Sequence, residues 1–107
     1  MNQGDIYLVP FPFSDLSGTK VRPVLIVSHN AFNKSGKDIL VCAITSVYAT
    51  NAIRITQKHL DNGVLFADSY IKYESIFKLD TKLLLKKIGS VNTSIRKKIK
   101  AKIVSLF

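Results

Sequence analysis

Two short, continuous apolar runs constrain the fold of this chain more than any other feature of its sequence. Residues 23–28 read PVLIVS and residues 39–45 read ILVCAIT, and both runs are shorter than an ordinary helix. The linker between them contains the turn-favouring residues Asn30, Asn33, Ser35 and Gly36. Short runs that are apolar throughout are typical of strands buried on both faces. The chain is therefore predicted to place these two strands inside its core.

Local patterns predict further short elements around these strands. Residues 5–11 (DIYLVPF) are predicted to form a strand that is an edge, or ends, at Pro10 and Pro12, because proline cannot donate to a ladder. The other predicted elements are a loop over residues 14–20, a strand over 52–55, a helical turn over 57–60, a turn at Asn62 and Gly63, extended segments over 64–66 and 69–73, a helical turn over 81–84 capped by Asp80, and a last strand over 86–90.

The end of the chain changes to a helical period. Asn92 or Thr93 can cap a helix, and apolar residues then recur at spacings of four, four and three on one helical face, at Ile95, Ile99, Ile103 and Leu106. Between these apolar residues lie Arg96, Lys97, Lys98, Lys100 and Lys102. A chain of 107 residues has the size of one domain. Five to seven short strands and this helix predict a mainly-β fold, a small bent sheet or barrel over residues 1–107.

Charge is concentrated near the end of the chain. The formal net charge is +9, with eight basic and seven acidic side chains in residues 1–80 but eight basic and none acidic in residues 81–107. Such a segment is typical of a protein that binds a polyanion, either nucleic acid or an acidic protein segment. A solvated lysine-rich helix that keeps the protein soluble explains the same charge. Both interpretations remain open at the level of sequence.

Several classes of chemistry are excluded by residue counts and motifs. Cys42 is the only cysteine, so the chain can form neither an internal disulfide nor a cysteine-ligated metal cluster. It lies in an apolar run, where cysteine is usually a small buried hydrophobe. His29 and His59 have no metal-ligand spacing and are expected at turns or on the surface. The sequence contains neither a G-x-G-x-x-G nor a P-loop motif. We therefore expect chemistry without a metal ion, a thiolate or a cofactor.

The sequence also carries a prediction of location. The first residues lack a basic segment, Asp5 precedes any apolar run, and no stretch approaches the roughly 18 apolar residues of a membrane helix. We expect a cytoplasmic protein without a signal peptide or membrane segment.

A phosphate-handling set of side chains remains. Arg22 directly precedes Pro23, which biases it towards extended backbone and suits its guanidinium to bidentate phosphate binding. Thr45 and Ser46 present two hydroxyls where the second apolar run ends. If the strands formed by the two apolar runs pair, Arg22 and Thr45 lie on one rim of the sheet.

The order of these segments resembles the MazF/PemK (Kid-like) toxin family. The similarity covers essentially the whole chain and rests on GDIYLVPFPFSDLSGTKVRPVLIVS, ILVCAITS, ADSYIKYESIFKLD and IGSVNTSIRKKIKAKIVSLF. It implies a small SH3-like barrel that works as a homodimer and pairs with a cognate antitoxin protein. It also implies a sequence-specific, metal-independent endoribonuclease that cleaves single-stranded RNA and needs no cofactor.

The resemblance also implies roles for individual residues. Arg22 matches the family's catalytic arginine and Thr45 its catalytic threonine, and residues 14–20 match the mobile loop beside the site. Asp68 lies near an acidic position that some members use, and Phe66 stands where those members carry an arginine. The residues expected to contact RNA are Asp15, Ser17, Thr19, Lys20, Ser46, Asp68, Ser69 and Lys72.

The same residues suit a reaction in which the ribose 2′-hydroxyl attacks its own phosphate. That transition state gathers negative charge on phosphoryl oxygens, which an arginine stabilises, although arginine is a poor general base. Tyr48, Tyr70 and Tyr73 could stack on bases or pack within the protein. Two other classes of function remain open: a non-catalytic toxin or binder of the same fold, such as a gyrase poison or an RNA-binding module, and a structural interaction module.

Overall fold

The computed structural model describes residues 1–12 and 19–107, with the backbone alone for residues 11, 12 and 19. Seven strands, two α-helices and two short 3-10 helices form within these residues. The strands are β1 (Asp5–Pro12), β2 (Thr19–Ile26), β3 (Asp38–Thr45), β4 (Ile53–Ile55), β5 (Leu60–Gly63), β6 (Ser69–Asp80) and β7 (Lys86–Val91). The helices are α1 (Asn30–Ser35) and α2 (Thr93–Val104), and the 3-10 helices are Gln57–His59 and Thr81–Leu83.

All seven strands belong to one curled antiparallel sheet with the order β4-β6-β3-β2-β1-β7-β5. Strands β4 and β5 are its opposite edges, yet Ile55 of β4 and Leu60 of β5 pack in the same apolar cluster. The sheet must therefore roll up to bring its edges towards each other. The predicted mainly-β fold, a small SH3-like barrel with a terminal helix, is confirmed.

The core lies on both faces of the central strands. Val24, Leu25 and Ile26 follow one another in β2 and are all at most 1% exposed, which confirms that this run is buried on both faces. One cluster is built from Ile6, Leu25, Cys42, Ile44, Ile55, Ile71, Ile88, Val91, Ile95 and Ile99. The other is built from Val9, Val24, Ile26, Ile39, Val41 and Leu79. Burial of these side chains supplies the main free energy of folding.

Strand β1 shows how the prolines are accommodated. It pairs with β2 from Ile6 to Pro12, but with β7 only from Asp5 to Leu8. Pro10 and Pro12 therefore lie where one side of β1 has no partner strand among the described residues. On that side there is no described ladder in which a proline would have to donate a hydrogen bond, as predicted from the sequence.

Helix α2 covers the first cluster with one face. Asn92 is its N-cap, and its Oδ1 accepts a hydrogen bond of 3.0 Å from the Ile95 N–H. Ile95 and Ile99 are buried and Ile103 is half-buried, as the spacing predicts. Leu106 is the exception, because it follows the end of the helix and is 47% exposed. None of the helices in the described part of the chain has the length and apolar character to cross a membrane.

The linker between β2 and β3 contains a helix that the sequence did not predict. Helix α1 is capped by His29, whose Nδ1 accepts from the Ala31 N–H at 3.1 Å. Asn33, which reads as a turn former, is buried instead, and its side-chain amide donates to the Ser28 carbonyl at 3.1 Å. This hydrogen bond to a residue before the helix stabilises α1 where local pattern does not.

Other corrections concern boundaries. The predicted loop over residues 14–20 is wrong at Thr19 and Lys20, which belong to β2, and residues 13–18 lie outside the described part. Asn62 and Gly63 form no turn but pair in β5 with Ser90 and Gly89. Residues 64–66 are irregular rather than extended, and β6 continues well beyond the predicted 69–73. The predicted elements at 5–11, 52–55, 57–60, 81–84 and 86–90 are confirmed within one residue.

Candidate active site

Pairing of β2 with β3 brings the two predicted catalytic residues together. The register pairs Val24 with Ala43 and Leu25 with Cys42, and the same register continued by two residues places Arg22 opposite Thr45. Both residues line one cavity of about 190 Å³. The pairing expected from the two apolar runs is thus confirmed.

Each of these side chains leaves a backbone held by a second strand. Arg22 pairs with Val9 of β1, and Thr45 pairs with Tyr70 of β6. Arg22 is half-buried, and no carboxylate among the described residues lies within ion-pair distance of it. A guanidinium on a paired strand, without a described acidic partner, is available to an incoming anion.

Thr45 has a hydroxyl whose geometry is partly fixed. Its Oγ1 accepts a hydrogen bond of 3.1 Å from the Val47 N–H, just after the end of β3. An accepting hydroxyl keeps its own proton to donate. Thr45 is half-buried and Ser46 beside it is exposed, so both hydroxyls can meet a ligand in the cavity.

The walls of the cavity come from distant parts of the chain. Ile44 and Ile88 are buried apolar residues, contributed by β3 and β7 respectively. The segment between β5 and β6, residues 64–68, contributes three further lining residues. Among the described residues, the lining besides Arg22, Thr45 and Ser46 consists of Pro23, Ile44, Leu65, Phe66, Ala67, Ser69 and Ile88.

Some of the residues predicted to contact RNA line the cavity, and others lie outside it. Ser46 and Ser69 line the cavity, and the buried Ser69 Oγ donates to the Ala67 carbonyl at 2.8 Å. Lys20 is exposed in β2, two residues before Arg22. Asp68 and Lys72 are outside the lining. Asp68 forms an ion pair of 2.6 Å with Arg54, and Lys72 is half-buried in β6 opposite Ala43.

Three predicted contact residues lie at the border of the described structure. Asp15 and Ser17 fall outside the described residues. The backbone of Thr19 pairs with Pro12 at the start of β2.

The tyrosines separate into two groups. Tyr48 and Tyr70 form an edge-to-face pair with ring centroids 5.6 Å apart, and Tyr48 is 74% exposed. Tyr73 is buried, with the Lys102 ammonium 6.0 Å from its ring centroid. Tyr73 therefore packs within the protein, whereas the Tyr48 ring remains accessible to a ligand.

The cysteine and the two histidines, which could also take part in chemistry, are buried or cap helices instead. Burial raises the pKa of the Cys42 thiol to about 12, so it is protonated at neutral pH. His29 caps α1, and the His59 Nδ1 accepts from the Thr56 N–H at 2.9 Å. Residues 1–12 and 19–107 contain no group of three or more potential His, Cys, Asp or Glu ligands for a metal ion.

A second cavity, of about 450 Å³, lies between β2 and α2. Its lining is mainly apolar, with Leu25, Val27 and Ile99 among its residues and Arg96 on its rim. Arg96 already donates to the Val91 carbonyl at 2.8 Å and to the Thr93 hydroxyl at 2.7 Å. The smaller cavity is the candidate active site, because it combines a cation and hydroxyls that can bind a phosphate.

Comparison with known proteins agrees with this geometry. The family model of PemK-like, MazF-like toxins of type II toxin–antitoxin systems matches residues 2–107. The chain belongs to this family. The resemblance that the sequence segments indicated is therefore confirmed. No curated protein matches the chain in sequence.

Solved structures share the fold of this MazF-like chain at low identity. An endoribonuclease in complex with its cognate antitoxin, from a mycobacterial species, superimposes with a TM-score of 0.80 at 20% identity, covering 98% of this chain and 92% of that one. A MazE–MazF structure from Deinococcus radiodurans gives 0.79 at 17% identity, covering 99% and 94%. The Mycobacterium tuberculosis toxin MazF-mt6 gives 0.72 at 17% identity, covering 95% and 93%.

The sequence pointed to Arg22, Thr45, Ser46 and Ser69 but missed most of the wall. Phe66, Leu65 and Ala67 lie in an irregular segment, and Ile88 is an apolar residue in a strand far along the chain. One signal was present for Phe66, because the resemblance places it where some family members carry an arginine. That Phe66 and Arg22 line the same cavity depends on the closed sheet.

Proposed function

We propose that this toxin is an endoribonuclease that cleaves single-stranded RNA, with mRNA as its cellular substrate, at the cavity lined by Arg22 and Thr45. The observation that carries the proposal is that these two residues, from different strands, share one cavity. Membership in the MazF-like family supports it, as do structural neighbours that are endoribonucleases. Asp15, Ser17, Thr19, Lys20, Ser46 and Ser69 are proposed to contact the RNA.

The proposed reaction is an internal transesterification. The ribose 2′-hydroxyl loses its proton as its oxygen attacks the adjacent phosphorus. The bond from phosphorus to the 5′-oxygen breaks, and the 5′-oxygen takes up a proton, so one proton is released and one is consumed. The products are a 2′,3′-cyclic phosphate and a 5′-hydroxyl. No water nucleophile is needed, so the protein has to align the groups and stabilise charge.

Arg22 and Thr45 divide that task. The guanidinium binds the phosphoryl oxygens, on which negative charge grows in the transition state. The Thr45 hydroxyl donates to the same oxygens while the Val47 N–H fixes its position. The proposed chemistry therefore uses side chains alone, without metal or cofactor.

The proposed partners follow from charge and family. Exposed lysines of α2 bind the RNA backbone flanking the cut or an acidic segment of a cognate antitoxin, and we propose that the toxin acts in the cytoplasm as a homodimer. Structural neighbours occur in complex with an antitoxin. Four lysines of α2 are exposed: Lys97, Lys98, Lys100 and Lys102.

The decisive experiment is cleavage of a long RNA by the purified protein in EDTA, with the cut ends mapped by primer extension. We expect discrete cuts with 2′,3′-cyclic phosphate and 5′-hydroxyl ends. A DNA strand of the same sequence should stay intact because it lacks the 2′-hydroxyl. Cleavage only with added divalent ions, or ends carrying 5′-phosphate, would contradict the mechanism. Growth arrest with intact transcripts and damaged DNA would instead support a gyrase poison.

A further inference from the structure

An exposed aromatic ring stands at the mouth of the candidate active site. Phe66 is 77% exposed and lines the cavity together with Arg22 and Thr45. Leaving a phenyl ring in water forgoes the hydrophobic free energy that its burial would give. The apolar neighbours in the lining, such as Ile44 and Ile88, are buried. Phe66 is thus an aromatic surface next to groups suited to a phosphate.

The segment that carries Phe66 is held on both sides of the ring. The Val64 N–H donates to the Ile88 carbonyl at 3.0 Å. The Gln57 side chain bridges the segment, because its amide donates to the Gly63 carbonyl at 3.1 Å and its oxygen accepts from the Leu65 N–H at 2.8 Å. Leu65 packs against the first core cluster.

The far side of the segment is also tethered. The Ser69 hydroxyl donates to the Ala67 carbonyl at 2.8 Å, and Asp68 forms its 2.6 Å ion pair with Arg54 of β4. Contacts therefore precede and follow Phe66 within two residues. The ring is presented from a held backbone, so little ordering is needed when a ligand packs on it.

The surroundings of the ring favour a nucleotide as its ligand. The lining that Phe66 shares carries cationic and hydroxyl groups, at Arg22, Thr45 and Ser46, and the Arg54–Asp68 ion pair is anchored two residues after the ring. A nucleotide is charged at its phosphate and flat and apolar on the faces of its base. An apolar protein surface that packed on the ring would also cover the neighbouring polar groups and leave them without hydrogen-bond partners.

We propose that Phe66 is a stacking platform for one base adjacent to the phosphate that Arg22 binds. The inference rests on the proposed function and deepens it by giving the base next to the cut a binding site. Stacking accepts any base, because each has a π-face. Phe66 therefore contributes affinity and places the ribose at the cut, while other groups choose the sequence.

The test uses an RNA with a mapped cut site, made uncleavable by a 2′-deoxy nucleotide at the cut. In separate oligonucleotides, 2-aminopurine replaces the base on each side of the cut. Binding to the wild-type protein should quench the fluorescence at one position. Phe66→Tyr should retain the quenching and Phe66→Leu should lose it, because leucine keeps apolar area without a π-face. Phe66→Leu should also weaken binding by about five- to a hundredfold.

A matched control lies two residues away. Val64 is 62% exposed on the same segment and is not part of the lining, so Val64→Ala should keep both quenching and affinity. An abasic nucleotide at the quenched position completes a double-mutant cycle. It should weaken binding to the wild-type protein and cause no further loss in Phe66→Leu. Circular dichroism melts establish that all variants fold.

The possible failures are distinguishable. If the wild-type protein binds and cuts RNA, but the abasic and Phe66→Leu losses add independently, this inference alone is overturned. If Phe66→Leu weakens binding of the antitoxin and leaves RNA binding unchanged, the ring belongs to a protein interface and the inference is likewise wrong. A wild-type protein that neither binds nor cuts RNA overturns both this inference and the proposed function.

Discussion

Arg22 and Thr45 lie on neighbouring antiparallel strands and face one cavity, Arg22 held opposite Val9 and Thr45 opposite Tyr70. Each of the two side chains is thus placed by a strand that is paired with a neighbour, rather than by a loop. Such placement preorganises a cation and a hydroxyl before a substrate arrives, which is the condition for electrostatic stabilisation of a transition state.

Arg22→Ala should lower the rate of RNA cleavage by about 10²–10³, the usual effect of removing one preorganised donor. Arg22→Lys should lose less, because it keeps the charge but not the bidentate geometry. Rates come from gel assays of a labelled RNA in EDTA, and thermal melts check folding. The control is Lys82→Ala, an exposed lysine on the 3-10 helix after β6. Equal cleavage rates for Arg22→Ala and the wild-type protein would show that Arg22 takes no part in catalysis.

Two substitutions of Thr45 distinguish the contribution of its hydroxyl from the contribution of its side-chain volume. Thr45→Val is nearly isosteric and should reduce cleavage by about ten- to a hundredfold, since hydrogen bonds to charged groups contribute about 1.5–3 kcal/mol. Thr45→Ser keeps the hydroxyl and should stay within a few fold of wild type. Single-turnover rates with saturating enzyme measure the chemical step. A valine variant as active as the serine variant would show that the hydroxyl takes no part.

The exposed lysines of α2 distinguish an RNA-binding helix from a merely solvated one. Single-strand affinity falls with salt at a log–log slope of about −0.7 per phosphate contact. Lys98→Ala and Lys100→Ala should each make the slope less negative by about 0.7 if that lysine contacts a phosphate. Fluorescence anisotropy over a salt series gives the slope, with Lys37→Ala as the exposed control outside α2. Unchanged slopes would favour the solvated helix.

Gly63 should tolerate no side chain. Its φ is +87°, and a Cβ there would overlap the Ile88 carbonyl oxygen and the Gly89 Cα. Gly63→Ala should lower the free energy of unfolding by about 1–3 kcal/mol from backbone strain, with the overlap adding to it. Denaturant titration measures the change. Gly36→Ala is the matched control, because its Cβ would meet only the Asp38 nitrogen at 3.9 Å. Equal stability of the two variants would contradict this close approach.

Cys42 should resist alkylation while the protein is folded. Burial raises the pKa of its thiol to about 12, so the folded state holds the proton more tightly than the unfolded state. Its contribution to stability is complete below the unfolded pKa of 9.0 and is lost as pH rises towards 12. Iodoacetamide at pH 8 followed by mass spectrometry should label only unfolded protein. Rapid labelling of native protein would show an accessible thiolate.

The sequence predicted those parts of the fold where local pattern and tertiary structure agree. The run over residues 39–45 lies within β3, and the run over 23–28 overlaps β2, which begins earlier at Thr19 and ends at Ile26. The period of Ile95, Ile99 and Ile103 corresponds to the face of α2 that packs on the core. Because Arg22 directly precedes the first apolar run and Thr45 ends the second, the core of the candidate site could be inferred as well.

The parts that could not be predicted depend on contacts distant in sequence. Asn62 and Gly63 have turn chemistry, yet pairing with β7 makes them a strand. Helix α1 depends on the buried Asn33 and its hydrogen bond to Ser28. Phe66 reaches the cavity only through the tethers from Gln57 and Ile88. The free-energy differences behind helix and strand propensities are too small to outweigh such tertiary contacts.

The position of Ile88 in the cavity lining has a consequence for the synthesis of the toxin. Arg22 and Thr45 are translated early, but β7 closes the cavity and pairs with β1 across most of the chain. A nascent polypeptide therefore carries both side chains before the pocket around them is finished. The proposed RNA-cleaving site is complete only once β7, the last strand to be synthesised, has paired with β1.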